Sequence, residues 1–258
     1  MITQKQEANH LSSVKNALRI LRCFTMDEPE KKVSELSTML GLNKSTVSRT
    51  MSTLASEGFV YKDAETKKYR LGLSILSLSG IVNGTMDVYH ESQPILNRLV
   101  DTTNESVNIS MLDNSDVIYL NKIECNHPDK TVTHIGKRTP PYCTSSGKLL
   151  LAYSNEDVIE SVFQKGLQKF TKNTVTDPKR LLSDLEEIKA NGYAYCSEEL
   201  REGISAIAAP VYDYKGNVIA AVAVVGPKQR IQPHKVPGIA KNTIHAALEI
   251  SERMGYRK

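Results

Sequence analysis

The residues best equipped for chemistry lie between positions 44 and 56, in KSTVSRTMSTLAS, where seven hydroxyl side chains accompany one lysine and one arginine and no acid intervenes. Set on a helix at about 100° per residue, Val47, Thr50, Met51 and Leu54 share one side, and Ser45, Arg49, Ser52 and Ser56 fall opposite. Thr46, Ser48 and Thr53 flank that outer side, and Lys44 stands at the start. Hydroxyls donate to phosphate oxygens and can donate or accept at base edges, while an arginine can hold guanine through two hydrogen bonds. An acid-free face does not repel a polyanion, and the open N–H groups of a helix start attract a phosphate. The plain alternative is a neutral, solvated face. A second basic group, Lys62, Lys67, Lys68 and Arg70, lies in FVYKDAETKKYRLG, whose alternation about a polar turn reads as a β-hairpin. Placed there, the cations would straddle a nucleic-acid backbone.

Other chemistry finds less support. Ser145, Ser146 and Lys148 could form a Ser/Lys nucleophilic pair, but no G-x-S-x-G elbow, dinucleotide loop or metal-ligand cluster accompanies them, so no enzyme, cofactor or metal is expected. The six histidines form no spaced cluster, and Cys23, Cys125, Cys143 and Cys196 lack C-x-x-C or zinc-finger spacing, which predicts isolated reduced thiols.

The elements that must position these residues can be followed along the chain. Val14, Ala17, Leu18, Leu21 and Phe24 predict an amphipathic helix over 12–25, and Pro29 lies in the break after it. Ser34 is expected to cap a short helix, ELSTML, which Gly41 ends; Asn43 caps the next, and Gly58 closes it. Helix, helix, tight turn, helix and hairpin make a winged helix-turn-helix pattern. LSILSLSGIVNGTMDVYHESQPILNRLV continues as helix, with Pro94 marking a kink or a new first turn. Leu73, Leu76, Gly80 and Gly84 form a stripe that would let another helix approach, either from a second subunit or from the same domain.

Beyond residue 105, VNISML, VIYLNKI, TVTHIG, AYCSEE, SAIAAPVYD and NVIAAVAVVG read as strands, the last two as an antiparallel hairpin around YKG. SGKLLLAY, EDVIESVFQKG, PKRLLSDLEEIKANG (capped by Asp177) and a final segment over 234–254 read as helices. Grouped strands favour an antiparallel sheet with helices packed on it. The fold class is therefore α/β overall in two domains: a winged helix-turn-helix over 1–72, a connecting helix over 73–92 and an α+β domain over 93–258.

The totals agree with this division. Of 258 residues, 40% are hydrophobic and 24% charged, and no apolar run is long enough to cross a bilayer. The polar start lacks the apolar core of a secretory signal, which predicts a cytoplasmic protein. Residues 1–80 carry 12 basic against 8 acidic side chains, whereas the remainder carries 21 of each, so the whole excess of positive charge lies in the N-terminal third.

VKNALRILRCF, VSELSTMLGLNKSTVSRTMSTLASEGFV and YRLG resemble the winged-helix half of the isocitrate-lyase-regulator (IclR) family of bacterial transcription factors. GYAYCSEELREGISAIAAPVYD resembles that family's C-terminal signature at Gly192, Glu199, Ala206, Ile207, Ala208, Val211, Tyr212 and Asp213, with Cys196 where an Asp or Ser is usual. KRTPPYCTSSGKLLLAY is similar to the loop and helix lining the family's effector pocket, with Tyr142 replacing a common His.

The resemblance implies a homodimer or homotetramer that binds double-stranded operator DNA, commonly as a repressor, and a GAF-like C-terminal domain that senses a small molecule. It places an effector carboxylate at Ser145, Ser146 and Gly147, with Cys143 nearby. Where carboxylate-binding members present an acid, a Cys and two Ser, this chain has Cys196, Ala206, Ala223 and Val225, which implies a larger or more apolar effector than glyoxylate-type acids. Two alternatives stand beside this reading: a C-terminal domain that only oligomerises, and a redox role for Cys143 and Cys196.

Overall fold

The computed structural model describes residues 11–127 and 134–257, and the chain divides into two compact units, one ending at Thr85 and the other beginning at Met86. In the first, α1 (Ser12–Leu21), α2 (Val33–Leu40) and α3 (Lys44–Ser56) precede a hairpin of β1 (Val60–Lys62) and β2 (Tyr69–Leu71), and α4 (Ser74–Gly84) follows. Ile20, Phe24, Leu36, Val47, Met51, Val60 and Tyr69 form its core. α1, α2 and α3 each commit one apolar stripe to that core, which leaves the opposite face of α3 to solvent. Gly41 makes the turn from α2 to α3 with φ at 63°, a left-handed conformation that glycine adopts without strain. There the N–H of Leu42 reaches the carbonyl of Ser37 at 3.1 Å.

Helix boundaries differ from the sequence reading. The first helix stops at Leu21 rather than near 25. Ser34, expected as a cap, lies inside α2; the Glu35 carboxylate instead accepts from the Lys32 N–H at 2.7 Å. Asn43 holds the N-cap position of α3 but makes no side-chain cap bond. Residues 73–92, expected as one connecting helix, belong to two. The Thr85 hydroxyl folds back onto the carbonyls of Ile81 and Val82, at 3.1 and 3.0 Å, and Met86 is extended. A new helix, α5 (Asp87–Thr103), then starts with an acid in its first turn, so Pro94 falls within it and not at its start. The apolar periodicity runs through this break and conceals it.

The second unit continues with β3 (Ser106–Asp113), β4 (Asp116–Ile123), β5 (Arg138–Thr139), α6 (Ser145–Ala152), α7 (Glu156–Lys165), α8 (Pro178–Asn191), β6 (Ala194–Ser197), β7 (Ile204–Tyr212), β8 (Val218–Pro227) and α9 (Val236–Arg253). The expected strand TVTHIG spans 131–136; residues 131–133 lie outside the described residues, and His134–Gly136 form a turn, closed by the Lys137 N–H on the His134 carbonyl at 3.1 Å, and not a strand. Six strands form one antiparallel sheet in the order β5-β4-β3-β8-β7-β6. Along β8, Ala220, Val222 and Val224 join the core shared with α5 and α9. Ala221 and Ala223 point the other way, into the core with α6. Helices cover both faces, which explains why NVIAAVAVVG is an unbroken apolar run and not an alternating one. Among the described residues no helix is long and apolar enough to cross a membrane.

Candidate functional site

The outward face of α3 is as the helical spacing requires. Val47 and Met51 are buried, while Lys44, Ser45, Thr46, Ser48, Arg49, Ser52 and Thr53 are all exposed. Among the described residues the Arg49 guanidinium has no hydrogen-bond or ion-pair partner, so it is available to an outside acceptor. Thr53 differs from the serines: its hydroxyl proton goes to the Arg49 carbonyl at 3.2 Å, which leaves it only an acceptor.

The wing is built more tightly than its composition suggests. The Asp63 carboxylate accepts from the N–H groups of Glu65 and Thr66 and from the Thr66 hydroxyl, and these bonds to Thr66 hold its pKa below the usual carboxylate range. Lys62 lies over the Tyr69 ring at 5.4 Å and Arg70 over the Tyr61 ring at 4.9 Å. Lys67 donates to the Ala64 carbonyl at 2.6 Å, and Lys68 sits 3.9 Å from Glu30. The wing thus presents its cations on a rigid turn, with Lys62, Lys67 and Arg70 exposed and Lys68 half-buried.

In the second unit a cavity of about 420 Å³ lies over the sheet, bounded by the segment leading into α6. Its floor includes Ala206 of β7, Val225 of β8 and Asn108 of β3; Phe170, Leu200 and Ile204 supply apolar wall. The sheet register sets the floor, because Cys196 lies opposite Ala206, Ala206 opposite Val225, and Asn108 opposite Ala223. At the α6 start, Thr144 is the N-cap and its Oγ1 accepts from the Gly147 N–H at 3.0 Å. The N–H groups of Ser145 and Ser146 have no acceptor among the described residues, so they form the anion-attracting end.

Of the residues expected around an effector, Cys143, Ser145, Ser146, Cys196, Ala206 and Val225 line this cavity, and Gly147 and Ala223 do not. Gly147 is committed elsewhere. Its N–H is capped, and a Cβ there would lie 2.2 Å from the Pro141 carbonyl oxygen, so glycine is what lets α6 pack on the turn at 141–143. Ala223 is covered by the core that contains Leu149 and Leu150. Sequence reasoning missed Asn108, Tyr119, Phe170, Leu200 and Ile204. Only Asn108 carried a signal, as an amide within the apolar strand VNISML.

The electrostatics of the cavity disfavour nucleophilic chemistry. Lys148 is almost fully buried and holds Asp184 at 3.0 Å and Glu199 at 2.8 Å. Burial opposes its charge, but the carboxylates of Glu199 and Asp184 outweigh that and raise its pKa, so it stays a cation and cannot serve a serine as base. Burial, reinforced by Glu199, pushes the Cys143 thiol up to about 12 and the Cys196 thiol well above its usual value. Both remain protonated near neutral pH, the unreactive form of a thiol.

Comparison with known proteins bears on both units. The IclR helix-turn-helix domain matches residues 13–64, and the C-terminal domain of bacterial transcriptional regulator IclR matches residues 82–252. The HTH-type transcriptional regulator XynR of Escherichia coli K12 is 30% identical over 248 residues, covering 95% of this chain and 98% of XynR. The HTH-type transcriptional repressor AllR of the same organism is 28% identical over 246 residues, covering 95% of this chain and 91% of AllR. An IclR homologue from Microbacterium hydrocarbonoxydans, solved in complex with 4-hydroxybenzoate, superposes with a TM-score of 0.82 at 25% identity, over 94% of this chain and 99% of that one.

Proposed function

The chain belongs to the IclR family of bacterial transcriptional regulators, and from that premise we propose how it regulates. It acts as a cytoplasmic repressor whose α3 enters the major groove of an operator, with Arg49 and the serines Ser45, Ser48 and Ser52 at base edges and phosphates and Lys44, Lys62, Lys67, Lys68 and Arg70 on the backbone. The observation that carries this reading is the face of α3: exposed, free of acids and centred on an arginine whose guanidinium has no protein partner among the described residues. Two copies bind a near-palindromic site as a homodimer or homotetramer. Support for assembly comes from Leu73, Leu76 and Ile81 at the α4 end and Leu11 and Leu18 at the α1 end, which are large apolar side chains more than half exposed. An organic acid with an apolar body occupies the C-terminal cavity, its carboxylate at the N–H groups of Ser145 and Ser146; the relative bound to 4-hydroxybenzoate supports that class. The acid alters operator affinity to the extent that it prefers one arrangement of the dimer.

The test uses operator fragments found by genomic footprinting and fluorescence anisotropy on the full chain. Arg49→Ala is expected to weaken operator binding by roughly 1–3 kcal/mol and to relax base preference. Lys68→Ala is expected to weaken all DNA about equally and to lower the salt slope by about one. Unchanged operator affinity in Arg49→Ala at moderate salt would remove α3 as the reading helix.

A further inference from the structure

The floor of the C-terminal cavity carries a polar side chain that the fold leaves unused. Asn108 is 3% exposed and lines the cavity, and its Oδ1 has no hydrogen-bond partner among the described residues. It stands on a central strand, between Ala223 of β8 and Lys122 of β4. Such positions favour β-branched and aromatic side chains, and an unpaired buried amide is unfavourable. A leucine of similar size would pack there without that penalty. Independently, Ser145 and Ser146, each 2% exposed, line the same cavity with amide N–H groups that no described residue accepts. Phe170, Leu200, Ile204, Ala206 and Val225 give the cavity a mainly apolar surface, and the charged Lys137, Arg138, Glu198, Glu199 and Arg201 also line it.

We infer that Asn108 is a specificity-determining residue that hydrogen-bonds a hydroxyl on the effector, so that the effector is a hydroxylated carboxylic acid with an apolar body of at least ring size. This rests on the reading of the cavity as the effector site and names what that site selects. A hydroxyl both donates and accepts, so it satisfies the amide in either orientation; an ether or a halogen cannot. The volume of about 420 Å³ sets the size of the body, since a two- or three-carbon acid would leave most of such a cavity unfilled.

The experiment is isothermal titration of the full-length protein with benzoate against 3- and 4-hydroxybenzoate, and phenylacetate against 4-hydroxyphenylacetate. In the wild type at least one hydroxylated acid is expected to bind roughly tenfold more tightly than its parent. Asn108→Leu should bring that pair within about twofold of each other, and its ligand-free melting temperature should not fall below that of the wild type. Asn108→Ala makes the same comparison should the leucine variant fail to fold. Equal binding of parent and hydroxylated acids by the wild type, or a preference that survives both substitutions, overturns the role of Asn108 and leaves the acid site standing. Binding of none of these acids overturns the acid-effector reading and this inference together.

Discussion

Lys148→Met probes the ion network beside the cavity, and its size can be worked from the partners left behind. The wild-type ammonium, with a side chain 2% exposed, is shared between Asp184 at 3.0 Å and Glu199 at 2.8 Å. Asp184 keeps a second partner, Arg180 at 3.0 Å, and is more exposed, so it tolerates the loss. Glu199 is 9% exposed and has no other ion pair among the described residues, so it carries the penalty. Removing one member of a buried pair costs about 3–5 kcal/mol, and the reserve at Asp184 places the expected loss near about 3 kcal/mol. In a unit of this size that is a fall in Tm of roughly 6–12 °C, read by differential scanning calorimetry of the ligand-free protein at pH 7. Lys148→Met/Glu199→Leu should recover most of it, because the stranded charge is gone. The pH dependence follows from the raised pKa of Lys148: its stabilisation is complete below the unfolded value of 10.5 and is lost as pH climbs through the higher folded value. The difference between wild type and Lys148→Met should therefore be flat across neutral pH and shrink only in strong alkali. A loss under about 1 kcal/mol, or a double variant no more stable than the single one, would refute this account of the network.

Two further substitutions separate packing from binding at α6. Gly147→Ala should destabilise the C-terminal unit by about 1–3 kcal/mol in thermal melting, since its Cβ meets the Pro141 carbonyl backbone and not a movable side chain. Ser145→Pro should fold normally, because position 145 is the first helical residue and Thr144 before it is already extended at φ −129°, ψ 150°. It removes one anion-facing N–H, so affinity for a bound carboxylate in calorimetric titration should drop roughly tenfold. Unchanged affinity would place the carboxylate elsewhere in the cavity.

Local pattern was enough for the DNA-reading half. Val47 and Met51 are buried and Arg49 exposed because a single helix with one apolar stripe has only one way to meet a small core. The capping details were less legible. Glu35 closes the α2 start in place of Ser34, and the break at Thr85–Met86 hides in a continuous apolar rhythm, because backbone hydrogen bonds at helix ends depend on geometry that composition does not specify.

The sequence by itself determined the two-part organisation, the three helices and hairpin of the N-terminal unit, the basic N-terminal third and the face of α3, all of which follow from short-range periodicity and charge. Only the tertiary structure decided the membership of the cavity. Asn108, Ala206 and Val225 come from strands far apart in the chain and converge because an antiparallel register sets Asn108 opposite Ala223 and Ala206 opposite Val225, while Phe170 and Leu200 arrive on loops joined by hydrogen bonds from the Thr171 and Thr174 hydroxyls to the Glu198 and Glu199 carbonyls. The same register covers Ala223, and a close approach to Pro141 takes Gly147 out of the lining. Which side chains share a cavity is a property of long-range pairing, and a one-residue change in that pairing would exchange every inward side chain for an outward one.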